Sequence, residues 1–236
     1  MKNLKKCFKI ILFFLISICI FTISKNIILR HYERKVLKTI YQEFSKDHKV
    51  SDLHTFINDL HTYVISNYIN KPKCALQFIL WKKNRGFFRQ TPLDTLLGKA
   101  ALCGENSRLM VNLLIANGIK ARRLYLFEKN ISNHVIYEYF DTKINDWIAL
   151  NSLGKKDPLT KVLASSIITR KDYKKVFSKL GFHHYSTLNF SRFNLLNKYP
   201  YDIPYLISYL IDDVYLLKIC LLSIILIFMF IPLFFL

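Results

Sequence analysis

The stretch Ala101-Leu102-Cys103-Gly104-Glu105-Asn106-Ser107-Arg108-Leu109 sets a cysteine at the head of an apolar helix. From Asn106 to Asn117 the residues Leu109, Met110, Leu113, Leu114 and Ile115 form a broad helical stripe, and Gly118 is well placed as the C-terminal cap. Cys103 therefore stands at or just before a helix N-terminus. There, backbone N–H groups and the helix dipole favour the thiolate, the reactive form of the side chain.

Working outward, the residues that follow predict strands over 121–127, 133–140 and 147–151, with 128–132 and 141–146 as connections. Val135, Tyr137 and Tyr139 alternate with Ile136, Glu138 and Phe140, as a sheet requires. If the 141–146 loop closes a hairpin in which Phe140 faces Trp147, then Ile136 faces Asn151. His134 shares the face of Ile136, so His134 and Asn151 become diagonal neighbours. The order is a helix followed by antiparallel strands, an α+β arrangement.

Cys103, His134 and Asn151 together form a nucleophile constellation. A thiolate attacks an acyl carbon, an imidazole keeps the thiol ionised and later protonates the leaving group, and a third polar side chain fixes the ring. The backbone N–H of Cys103 is the natural first oxyanion donor. The sequence names no second one.

On the N-terminal side, Thr91 caps a short helix over 91–97 with Pro92 at its first position. Ser51 is expected to cap an earlier helix carrying Leu53, Ile57, Leu60 and Val64, which ends near Asn70, before Pro72. His54 and His61 lie on it, seven residues apart. Helical metal ligands usually lie three or four apart, and no carboxylate or cysteine completes a site, so packing or solvent exposure is the expectation. The same holds for His183-His184. No acidic loop suggests calcium, and no metal or organic cofactor is implied.

Both ends are apolar. Lys2, Lys5, Lys6 and Lys9 precede fifteen uncharged residues, Ile10 to Ser24, and no small-x-small cleavage site follows, which favours an uncleaved anchor. A basic helix over 27–44 is expected to continue it. Ile219 to Leu236 is a further uncharged run of eighteen, and extension back to Val214 adds only Lys218. The formal charge of +19 is dispersed and lacks zinc-finger spacing or an RNA-recognition signature, so anionic lipid is a better partner than nucleic acid. Lysine and arginine residues flank both sides of the first apolar run, which leaves only a weak lean towards an extracytoplasmic centre. Of five cysteines, Cys7, Cys19 and Cys220 belong to the apolar ends. A Cys74–Cys103 disulfide is open on counting grounds and would silence the nucleophile.

The segment from Thr91 to Asn151 resembles the transglutaminase-like superfamily, the papain-related fold shared by transglutaminases, peptide N-glycanases and many bacterial peptidases. The resembling residues are Thr91 to Leu97, Leu102 to Leu109, Leu113-Leu114 with Gly118 to Arg122, His134-Val135 with Glu138, and Trp147 with Asn151. The resemblance implies a nucleophile helix packed on an antiparallel sheet, with Cys103 similar to the family's nucleophile, His134 to its base and Asn151 to its third member. The family usually has aspartate at that third position, whereas papain-like enzymes use asparagine. Ala101 replaces a glycine common two residues before the cysteine.

The expected division is an anchor at 1–25, a basic membrane-proximal helix at 26–50, a transglutaminase-like domain at 51–160, a helical and aromatic extension at 161–213, and a transmembrane helix at 214–236. The leading functional expectation is a membrane-anchored thiol peptidase or amidase acting on a protein or peptide substrate. The alternative is a catalytically silent module of the same fold that binds a partner at the membrane. A weaker third is a binder of nucleic acid or another anionic polymer.

Overall fold

A computed structural model describes residues 2–48, 52–69, 90–99, 101–129, 131–152, 158–189 and 201–231. Cys74, Pro72 and the loop expected after Trp81 lie outside them. Helices α1 (Lys2–Asp47), α2 (Leu53–Tyr68), α3 (Pro92–Gly98) and α4 (Cys103–Ala116) come first. Strands β1 (Ala121–Glu128), β2 (Ile131–Asp141) and β3 (Asp146–Leu150) follow. After them come α5 (Pro158–Ser165), α6 (Arg170–Lys179), β4 (His184–Ser186), α7 (Tyr205–Asp212) and α8 (Val214–Phe230). The four strands form one antiparallel sheet in the order β3-β2-β1-β4.

Period-two alternation along β2 divides the interior into two layers. Tyr137 and Tyr139 pack with Leu37, Ile40 and Phe44 of α1, Ile57 and Leu60 of α2, and Leu109, Leu113 and Leu114 of α4. Ile136, on the opposite face, packs with Leu124 and Leu126 of β1, Leu163 of α5, and Tyr173 and Phe177 of α6. The cores thus draw on residues either side of positions 50 and 160, and α1 runs unbroken across position 25.

Local chemistry sets the ends of the elements. Thr91 caps α3 by accepting from the Asp94 N–H (3.1 Å), while Asp94 accepts from the Thr91 N–H (3.0 Å), a reciprocal capping box. Helix α2 is capped by Asp52 instead of Ser51: its carboxylate accepts from the His54 and Thr55 N–H groups at 2.9 and 3.1 Å. A carboxylate is the stronger acceptor at the positive end of a helix, which favours Asp52 in that place. Helix α4 closes as the glycine suggests. Gly118 has φ +82°, and the Ile119 and Gly118 N–H groups donate to Leu114 and Ile115 carbonyls at 3.0 and 3.1 Å, a Schellman motif.

Helix α1 is long and apolar enough to cross a membrane, and α7 with α8 meets the same description as a pair bent by 97°. Helices α1 and α8 pack antiparallel: Cys19 Sγ lies 4.0 Å from Met229 Sδ, and at the other end Arg30 donates to Asp213 at 2.7 Å. Phe13, Phe14 and Phe21 of α1 and Ile227 and Phe228 of α8 remain exposed. Arg34 also reaches Asp213 (3.2 Å), and both arginines bond the Tyr209 hydroxyl.

At the bend, Asp212 receives the Arg123 guanidinium at 2.5 Å, with both side chains about 95% buried. Removing one member strands a buried charge, at a cost of about 3 kcal/mol. Asp212→Ala is therefore expected to lower stability by that amount in detergent-micelle unfolding. The double variant Arg123→Met/Asp212→Leu is expected to lose less, because no charge is left unpaired.

Candidate active site

The hairpin has the register its loop implies: Phe140 pairs with Trp147 and Tyr137 with Leu150. Strand β3 ends there, and Asn151-Ser152 turns away, leaving the edge of β2 open beside Val135. The N-terminus of α4 fills that opening. Ser107 Oγ and Ser152 Oγ both donate to the Val135 carbonyl, at 3.0 and 2.6 Å, and Asn106 Nδ2 donates to the Ser152 carbonyl at 3.3 Å. Within a strand, the N–H and C=O of one residue point towards the same neighbour. The Val135 N–H accordingly faces the Cys103 sulfur and favours its thiolate.

His134 Nε2 lies 2.7 Å from Asn151 Oδ1. That same oxygen accepts the backbone N–H of Ser152 at 2.8 Å, and Asn151 Nδ2 lies 2.8 Å from Thr160 Oγ1. These contacts decide a tautomer. A backbone N–H can only donate, so the atom facing it must be the amide oxygen, which can only accept. Nε2 must then carry the proton. Nδ1 is left as the basic nitrogen of the neutral ring, and Asn151 itself is buried.

The three residues expected from the sequence are thus brought to one edge of β2: His134 bonds Asn151, and Cys103 lies against the residue that follows His134. Cys103 is a free thiol and only partly buried. Burial pushes it up from its ordinary value. The backbone N–H of Val135 opposes this, the Glu105 carboxylate adds to it, and the N–H groups of Gly104 and Cys103 oppose it again. The helix N-terminus thus helps the thiolate without winning on its own. Glu105 sits so close because its carboxylate accepts the Leu102 N–H at 3.2 Å, a capping bond that leucine cannot reciprocate.

Ser152, Asn106, Ser107 and Thr160 were missed by reading the sequence. Ser152 spends its N–H, hydroxyl and carbonyl on the frame around Cys103 and His134 and is fully buried. The available signal was a polar pair, Asn106-Ser107, in the first turn of a helix whose later residues are apolar.

His61 lies behind this frame, T-shaped against Tyr137 at 5.8 Å. It and His54 are buried, with His54 Nδ1 3.3 Å from the Tyr139 hydroxyl, so both pack instead of facing solvent. Among the described residues, no group of three or more His, Cys, Asp and Glu side chains could hold a metal.

No family model matches the chain, and no curated protein matches it. A solved structure of a candidate cysteine protease from Cytophaga hutchinsonii is similar over 58% of this chain, with 19% identity and a TM-score of 0.37. This chain spans 41% of the length of that protein. A likeness of this size carries no argument about fold family or activity.

Burial also sets a pH dependence. It pushes the His61 imidazole down to about 4 from an ordinary 6.5, against a smaller opposing pull from the Ser152 backbone. Between those values the unfolded chain binds a proton that the folded chain refuses, so stability rises with pH. The contribution is complete above about 6.5 and is lost as pH falls towards 4, an expected loss of about 3 kcal/mol. Unfolding measured between pH 7 and 4.5 should therefore show the parent losing more stability than His61→Phe as pH falls, by up to this amount, while the shares of His54, whose imidazole burial lowers, and of Glu33, whose carboxyl burial raises, are common to both.

Proposed function

We propose that the chain is a membrane-tethered thiol enzyme of transglutaminase-like, papain-related type that hydrolyses amide bonds in proteins or peptides. The observation that carries this reading is the Asn151 oxygen shared between His134 Nε2 and the Ser152 N–H. It fixes the tautomer in which Nδ1 is the base, and the Cys103 thiol is packed beside the adjoining residue.

In the reaction, Nδ1 of His134 takes the thiol proton and the Cys103 sulfur attacks the amide carbon. The oxyanion of the tetrahedral intermediate is met by the Cys103 N–H at the start of α4. The imidazolium then gives its proton to the leaving amine, which departs as the thioester forms. Water, deprotonated by the same nitrogen, attacks the thioester, releasing the carboxylic acid and restoring the thiol. Nothing among the described residues specifies an amine acceptor in place of water, so hydrolysis is favoured over cross-linking. Asn151 is neutral, so it orients the ring without offsetting the imidazolium charge as an aspartate would.

The raised thiol makes His134 the principal source of thiolate. Lipid is the second partner: α1 crosses the bilayer with α8 packed alongside it, and the sheet lies beyond the Arg30–Asp213 end of that pair.

The test is alkylation of Cys103 by iodoacetamide between pH 5 and 9, followed by mass spectrometry of the peptide containing it. The full chain is expected to react at pH 7 about tenfold faster than His134→Ala. Glu105→Gln, which keeps the capping oxygen but removes the charge, is expected to react about threefold faster than the parent. Equal rates for the parent and His134→Ala would remove the enzyme reading.

A further inference from the structure

Across β1 from His134 lies a cleft of about 400 Å³ between α6 and β4. Phe182 connects the two places: its ring is stacked at 25° and 6.5 Å from the His134 ring, and the same residue lines the cleft. Phe177 and Tyr185 continue the aromatic wall. A space of this size, apolar with a few polar groups, suits one or two amino-acid side chains.

The charged groups of the lining decide what chemistry it accepts. Asp202 is its one carboxylate, and it is already held by the guanidinium of Arg170 and by that of Arg122 at 3.2 Å. Arg170 in turn is occupied by Glu138 as well as by Asp202. The hydroxyls of Ser186 and Thr187 are spent on the Tyr201 carbonyl, at 2.9 Å each. Of the other basic side chains in the lining, His184 is half-buried and stacked on Phe127, whereas Lys174 and the His183 imidazole are exposed, both donors suited to an anion. Among the described residues, Lys174 has no carboxylate partner.

We propose that this cleft is a substrate subsite that receives a peptide residue flanking the bond to be cut and selects a glutamate or aspartate. Lys174 and His183 hold the carboxylate while the Phe177–Phe182 wall covers the aliphatic part of the side chain. The assignment rests on the thiol-enzyme reading only for the role of the bound peptide, since the selectivity follows from the cleft itself. A peptide is favoured over a lipid headgroup because the cleft shares a wall with His134.

The test uses the full chain with Cys103→Ala, in nanodiscs of neutral phosphatidylcholine, and fluorescein-labelled alanine-rich hexapeptides carrying one Glu, Gln or Lys. Anisotropy should show the Glu peptide binding about fivefold more tightly than the Gln peptide. Adding Lys174→Glu should abolish or reverse that preference. Lys174 is exposed, so this change leaves the fold intact. Equal affinity for the Glu and Gln peptides, or a preference that survives Lys174→Glu, overturns the proposal. So does Lys174-dependent binding of phosphatidylglycerol vesicles by a protein that does not discriminate among the peptides. Because the protein tested lacks the thiol, acid-selective binding stands even if Cys103 in the parent chain alkylates as an ordinary thiol. In that event the hydrolase reading alone falls.

Discussion

A single oxygen, Oδ1 of Asn151, accepts two hydrogen bonds, one from the Ser152 backbone and one from the His134 ring, at 2.8 and 2.7 Å. Each depends on the other. The backbone donor forces the amide to present its oxygen, and the oxygen forces Nε2 to carry the proton. The Thr160 hydroxyl accepts from Nδ2 at the other end of the amide, at 2.8 Å. The geometry exists because β3 stops at Leu150: pairing continued through Ser152, which the register sets opposite Val135, would close the edge of β2 that α4 occupies.

Buried charge holds the surrounding frame. Glu138 is fully buried in β2 and accepts from Arg122 at 2.6 Å, Arg170 at 2.8 Å and the Tyr173 hydroxyl at 2.8 Å. It ties β1, β2 and α6 together on the face opposite α4. At the bend between α7 and α8, Asp212 takes Arg123 of β1, and its carbonyl accepts from Asn112 of α4 at 3.1 Å. The next residue, Asp213, takes Arg30 and Arg34 of α1. Two consecutive aspartates thus join the apolar helix pair to the helix that carries Cys103. Desolvating such pairs is costly, and what they supply is a fixed arrangement more than stability.

Much of this was legible in the residues. The apolar stripe of α4, Gly118, the alternation along β2 and the Phe140–Trp147 hairpin are local patterns, and local patterns survive into the fold. Two kinds of feature were not. Ser152 and Thr160 take their meaning from contacts across the chain, Ser152 with Val135 and Asn106, Thr160 with Asn151. The raised thiol of Cys103 was hidden for a related reason: the helix N-terminus is visible in sequence, whereas burial and the orientation of Glu105 are not, and burial outweighs it. The choice of Asp52 over Ser51 as a cap turned on one position. His54 and His61 were read as packing or exposed, and burial behind the sheet decides between the two.

The protonation of His134 tests the central feature most directly. Nitrogen-15 chemical shifts of its imidazole, recorded at neutral pH on the Cys103→Ala chain so that no thiol shares the proton, distinguish the two neutral tautomers. The network around Asn151 requires Nε2 to be protonated and Nδ1 to be the basic, pyridine-like nitrogen, with Asn151→Ala losing that preference. A ring protonated at Nδ1 in the Cys103→Ala chain would contradict it.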